Sequence, residues 1–308
     1  MKKLVIISVI AIAAVRAVLL AELPISRITL RAVDETGTAI SNAKVRISFD
    51  EPNPHWGGAG VLNVTGVTDE NGAFSGQGHS GDRMGGLIQK QGYYTSVSTS
   101  VKFDRVNSGK WQPWDPTIDV ILKQIVNPVP MYAKRVNMSV PAMNAPVGYD
   151  LEIGDWVSPY GKGTSSDLVF TARLDRREER DFDYRLTVSF AKSGDGIQSF
   201  VGETYSALKS PRVAPENGYQ SQWMQMRSRR PGEAERWSRD ETRNYFIRVR
   251  TVVDQQGKVV SCLYGKIYGD FMNFTYYLNP TPNDRNVEFD PKRNLFTNLK
   301  PDECVTAP

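Results

Sequence analysis

Between two short apolar runs, Asp69-Glu70-Asn71-Gly72 leaves the chain little choice but a tight reversal of β structure. Val64, Gly66 and Val67 lead into it, and Ala73 and Phe74 resume the apolar pattern beyond it. Asn-Gly tolerates positive φ, and the Asp69 carboxylate can accept a hydrogen bond from the backbone two residues on. The spacing predicts a hairpin, a Gly-rich loop over 76–86, and a return strand at Leu87–Lys90. Gly92-Tyr93-Tyr94 ends that strand with two rings able to cap a core.

Upstream, Ile28–Val33 and Ala43–Phe49 alternate as strands do, with a turn at Asp34–Thr38 between them. Thr95–Phe103 and Thr117–Leu122 complete the set. Four motifs recur in order: D-x-x-G at Asp34–Gly37, A-x-V at Ala43–Val45, T-D-x-x-G-x-F at Thr68–Phe74, and G-Y at Gly92–Tyr93. This order resembles the carboxypeptidase regulatory-like domain, a small prealbumin-like (transthyretin-like) β-sandwich, over about Ile25 to Ile125. The resemblance implies a sandwich and no particular activity, because function resides in sites grafted on folds.

Lys2-Lys3 followed by the apolar run Leu4–Val15 has the layout of a secretory signal, with cleavage near Ala17 or Ala21. Arg16 interrupts the run and keeps an uncleaved anchor open. No cysteine lies nearby, which excludes a lipoprotein anchor, and no later stretch reaches the ~20 apolar residues of a membrane helix. The expected location is secreted or periplasmic, or associated with the cell surface. Removing residues 1–21 leaves 35 basic against 34 acidic residues, so the formal charge of +4 falls to +1. That balance argues against a nucleic-acid or acidic-membrane partner.

Helical periodicity is nearly absent, so the expected fold class is all-β. The signal would occupy 1–21, the prealbumin-like sandwich 22–125, and a larger antiparallel β domain with a long insertion 126–308. Prolines at 128 and 130 suit an extended connector near Gln124–Pro130. The next stretch, Met131–Asp155, reads as irregular. Strands are expected at Leu168–Leu174, Tyr184–Ala191, Ile197–Val201, Tyr245–Val253 and Val259–Tyr268. A further pair, Phe274–Leu278 with Asn286–Phe289, would flank Asn279–Asp284. The mixed-charge run Asp175–Asp181 suits a solvated hairpin tip. Ser210–Arg243 is either a long excursion or holds a short helix near Glu233–Arg239. GDWVSPYGKG (154–163) and the segment from Tyr276 to Phe296 are similar to exported bacterial β-rich proteins carrying a regulatory-like domain, which implies no activity.

Catalytic groups are sparse. His55 and His79 are the only histidines, both in Gly-rich loops, and no third ligand stands at zinc spacing. His79, Ser80 and Asp82 are too close in sequence to suggest a triad, and no G-x-S-x-G elbow occurs. Neither a metal nor a cofactor is expected. Asp69–Gly72 lacks the distal glutamate of an EF-hand. Glu152, Asp155, Glu203, Glu216 and Asp270 could supply paired carboxylates but show no spacing signal. Arg227-Ser228-Arg229-Arg230, flanked by Trp223 and Trp237, is offset by Glu233, Glu235, Asp240 and Glu241 and reads as a solvated loop. Asn63, Asn137 and Asn273 head N-x-[ST] sequons.

Cys262 and Cys304, the only cysteines, invite one disulfide in an oxidising compartment, pinning the C-terminal tail to a strand. The other reading is a buried thiol at Cys262 and an exposed one at Cys304. The tryptophans, including Trp56, either fill cores and anchor loops or offer flat faces to sugar rings. Trp111, Trp114, Trp156 and Tyr160 are the ligand-contact candidates. The sequence thus points to an exported, non-catalytic binding or structural protein with a polysaccharide or protein partner. The alternative is a glycosidase-like hydrolase with its site in the second part.

Overall fold

A computed structural model describes residues 23–52, 59–137, 139–238 and 243–308. The predicted signal segment, His55, Trp56, Asp240 and Glu241 lie outside the described residues. The fold is all-β: among the described residues every regular element is a strand. Among the described residues no helix is long and apolar enough to cross a membrane. The chain divides into two compact units, one running to Val126 and including Tyr205–Ala207, the other formed by Asn127–Thr204 and Leu208–Pro308.

The first unit holds β1 (Ile25–Val33), β2 (Lys44–Pro52), β3 (Ala59–Val67), β4 (Ala73–His79), β5 (Arg83–Met84) and β6 (Gly86–Gln89). It continues with β7 (Ser96–Val97), β8 (Val101–Lys102), β9 (Arg105–Asn107), β10 (Lys110–Gln112) and β11 (Thr117–Ile121). β2 pairs with β3 and β6, and β1 with β4 and, in parallel, β11. One residue pair, Asp50 with His79, joins β2 to β4. Alternation turns Ile28, Leu30 and Ala32 of β1 and Val45, Ile47 and Phe49 of β2 into one core with Ile88 and Val120. Each such large side chain contributes about 1.5–3 kcal/mol on burial.

Two expectations are corrected here. The Asp69 turn forms, but β3 and β4 do not pair as a hairpin: β3 lies on β2 and β4 on β1. The Phe74 ring packs over Gly66 where any side chain would overlap it, and Ala32 N–H donates to Gly72 O at 2.8 Å, drawing the exit strand onto β1. The single strand expected over Thr95–Phe103 is two short ones, β7 and β8.

The second unit comprises β12 (Val129–Asn137), β13 (Pro146–Asp150), β14 (Asp155–Trp156), β15 (Leu168–Glu178), β16 (Asp181–Ser189) and β17 (Gly196–Val201). Then come β18 (Gln222–Arg229), β19 (Arg236–Trp237), β20 (Arg243–Val253), β21 (Val259–Asp270), β22 (Asn273–Leu278) and β23 (Phe289–Asn294). One sheet runs β17-β20-β21-β22-β12-β23 and the other β14-β13-β15-β16-β18-β19. Their facing side chains, among them Phe170, Leu186, Ile247, Ile267 and Tyr276, make the main core. The opposite face of the first sheet is covered by a second cluster containing Phe246, Cys262, Tyr277, Phe289 and Val305.

Met131–Asp155, read as irregular, instead supplies β12, β13 and β14. Pro130 stands inside β12 at a register shift between Val129 and Met131, where no ladder N–H is required. Ser210–Arg243 contains β18 and β19 rather than a helix over its described part. β22 is not paired with the segment after Asn279–Asp284: β23 crosses to lie parallel to β12, with Phe289 beside Val129.

Candidate ligand-binding groove

β15 and β16 form a long hairpin whose register places Arg173 opposite Arg185, Asp175 opposite Asp183, and Thr171 opposite Thr187. The alternate residues Phe170, Ala172, Leu186 and Val188 are buried in the main core, so this row of arginines, acids and threonines faces outward. β18 adds Met226 beside Arg185 and Met224 beside Thr187, both at least 42 % exposed. β19 closes the edge, with Ser238 N–H donating to Met226 O at 2.9 Å and Met226 N–H donating to Ser238 Oγ at 2.8 Å. Together these strands line an open groove of about 600 Å³, with Arg173, Arg185, Met226, Arg236 and Trp237 on its walls.

The charges along the groove are not handled alike. Like charges directly opposed across a ladder repel. The Asp175–Asp183 pair is bridged by protein: Arg177 donates to Asp175 at 3.2 Å and to Asp183 at 2.9 Å, and Arg230 donates to both Asp183 oxygens at 2.9 and 3.0 Å. Hydrogen bonds from Arg177, then Arg230, hold the Asp183 carboxyl below its ordinary value. Arg227 pairs with Glu235 and sits between the Phe182 and Trp237 rings at 5.5 and 5.4 Å, and Arg236 pairs with Glu233 at 3.0 Å. Arg173 and Arg185, exposed and opposed, have no carboxylate partner among the described residues. The basic run Arg227–Arg230 is thus largely neutralised, but from a strand rather than the solvated loop expected.

The sequence candidates lie elsewhere. In the first unit, Trp111 is a loop anchor: its indole N–H donates to Ser80 O at 2.9 Å and its ring stacks on Phe103 at 5.8 Å. Trp114 is half-buried beneath Lys110, whose Nζ is 4.9 Å from the ring. In the second unit, Trp156 packs edge-on against Tyr149 and Phe170 at 5.3 and 5.4 Å, while Tyr160, in the same loop, is 46 % exposed. Asp155 ties that loop by accepting the N–H groups of Trp156 and Lys162.

The expected disulfide is not formed: Cys262 is a buried thiol and Cys304 an exposed one. Val305, not Cys304, faces the cluster around Cys262, so side-chain alternation turns the Cys304 sulfur outward to Lys300 O at 3.3 Å. His79 Nδ1 is 2.7 Å from Leu23 O, and Ser80 Oγ donates to Ser26 Oγ at 2.8 Å, so these neighbours make no triad. Glu152 is tied to Arg250, and Asp270 accepts the N–H groups of Met272 and Asn273. No group of three His, Cys, Asp or Glu side chains suited to a metal occurs among the described residues.

No family model matches the chain, and no curated protein matches it. Among solved structures, 3-chlorocatechol 1,2-dioxygenase from Rhodococcus opacus is 12% identical over 33% of this chain and 60% of its own, with a TM-score of 0.27. The chain spans 57% of a hydroxyquinol 1,2-dioxygenase from Pseudomonas putida. A variant of the shaft pilin from Lactobacillus rhamnosus GG is 10% identical over 85% of this chain and 94% of its own, at a TM-score of 0.23. A putative carbohydrate binding protein from Bacteroides uniformis is 7% identical over 85% and 99%, at 0.20. At these scores the likenesses carry no argument about what this chain does.

Proposed function

We propose that this is an exported, non-catalytic binding protein whose outer groove on β15, β16, β18 and β19 takes an acidic polysaccharide. The observation that carries the reading is the opposed Arg173–Arg185 pair. The protein bridges the neighbouring acidic pair with its own arginines, whereas an external carboxylate or sulfate would bridge the basic one. Guanidinium groups match such oxyanions with paired N–H bonds, and Met226 and Trp237 add apolar surface for sugar rings. The Arg227–Glu235 and Arg236–Glu233 pairs hold the rim without cancelling the central charge.

The test is binding of the mature chain to neutral and acidic polysaccharides by titration calorimetry. Saturable binding to uronate- or sulfate-bearing chains is expected, weakening steeply between 50 and 500 mM salt as exposed charges are screened. An Arg173→Gln/Arg185→Gln double variant should lose about tenfold or more in affinity. Undiminished binding by that variant, or binding to neutral chains alone, would overturn the reading.

A further inference from the structure

A second cavity of about 600 Å³ opens elsewhere in the second unit, walled by four chain segments around Glu216, Arg248, Lys258–Tyr264 and Asn283–Arg285. Its cations are Arg248, Lys258 and Arg285, and none is ion-paired to a carboxylate among the described residues. Glu216 is the one acid on the wall. Arg248 is half-buried and held without a counter-charge: Nε donates to Gly194 O at 2.7 Å, Nη1 donates to Glu216 O at 3.1 Å, and the guanidinium lies 4.8 Å from the Tyr219 ring. Tyr219 is fixed in turn by its hydroxyl, which donates to Pro215 O at 2.8 Å, and its ring lies 6.3 Å from that of Tyr264.

Carbonyls and a ring orient Arg248 but do not neutralise it, so its charge projects into the cavity with those of Lys258 and Arg285. Holding a partly buried cation without a counter-ion costs free energy unless an anion arrives. Burial, then the Cys262 thiol beside it, pushes the Tyr264 hydroxyl up to about 12. The Asn283 side chain is already committed, accepting from Cys262 N–H at 3.1 Å and donating to Val260 O at 2.9 Å, so it shapes the wall and leaves recognition to the cations.

We infer that this cavity is a binding site for a compact polyanion carrying at least two negative charges, such as a polycarboxylate or a phosphoryl group. Three cations facing one carboxylate leave an excess that a single charge would not cancel, and a cavity of about 600 Å³ is of small-molecule size. The inference does not depend on the groove reading, since the two sites share no residue.

Calorimetric titration with citrate and with pyrophosphate tests it, the two probes separating carboxylate from phosphoryl preference. At least one should bind saturably and with salt dependence. Arg285→Gln and Lys258→Gln should each weaken it about fivefold or more. Glu216→Gln, which removes the opposing charge, should tighten it, an outcome that misfolding cannot mimic. Titration in the groove variant Arg173→Gln/Arg185→Gln isolates this cavity: binding that persists there and is weakened by adding Arg285→Gln belongs to it, so that failure here and failure of the groove reading are distinguishable. Absence of saturable binding by both probes, or affinity indifferent to Arg285→Gln and Glu216→Gln, overturns the site.

Discussion

Asp34, Asp69 and Asp254 each use one carboxylate oxygen to accept the backbone N–H groups two and four residues on, at 2.8 to 2.9 Å. In each case the residue three positions on is a glycine at positive φ. The whole device spans five residues, which is why the Asp34 and Asp69 turns were legible in the sequence. Its surroundings were not. A side chain on Gly257 would meet open space, whereas a Cβ on Gly72 would stand 2.5 Å from Ala32 O. Gly257→Ala is therefore expected to cost about 1 kcal/mol, the left-handed backbone penalty alone. Gly72→Ala should cost about 3 kcal/mol, because the clash adds to that penalty and the turn is docked on β1. Urea unfolding of the two variants checks the ranking, and equal losses would show that the Ala32 contact yields freely.

At the scale of elements, local alternation predicted most strands but not their partners. β22 and the segment after it read as a pair, yet β23 lies against β12, 160 residues away in sequence between Val129 and Phe289. Pro130 hid β12, since a proline in a strand is tolerated only where the ladder slips. The groove was hidden for a related reason: Arg173 and Arg185 become neighbours only once the β15–β16 register is set. The C-terminal tail does dock on this sheet, by Val305 in the cluster it shares with Cys262 and by hydrogen bonds to β12 and β22 (Arg135 N–H to Glu303 O, the Tyr277 hydroxyl to Ala307 O), rather than by a sulfur bond. A thiol reagent added to the native protein is accordingly expected to label Cys304 within minutes and Cys262 only after denaturation. Two unreactive cysteines before and after unfolding would restore the disulfide.

At the scale of the whole second unit, one polar cluster ties the two sheets together. Arg250 of β20 donates to Asp167 through Nε and Nη2 at 2.8 and 3.0 Å, to Asp150 at 3.0 Å, and to Glu152. Asp150 and Asp167 are almost fully buried, so removing the guanidinium strands two carboxylates. Arg250→Gln is expected to cost about 3 kcal/mol at neutral pH. Burial pushes the Asp150 carboxyl up, but N–H groups of Thr164, Ile153 and Ser165 and the charge of Arg250 outweigh it and hold it below its ordinary value. That contribution to stability is complete above the unfolded value near ~4 and is lost as pH falls through the lower folded value. The gap between wild type and Arg250→Gln, measured by urea unfolding, should narrow below about pH 4. A pH-independent gap would assign the loss to packing.

The amino-acid sequence determined the all-β class, the Asp-headed turns and most strand positions, because each depends on alternation or hydrogen bonds within a few residues. Strand partners, the sheet-tying Arg250 cluster and both cation-lined cavities were decided by tertiary structure. They depend on which distant segments share a ladder, and the free energy of that choice comes from burying whole faces rather than from any local residue pattern.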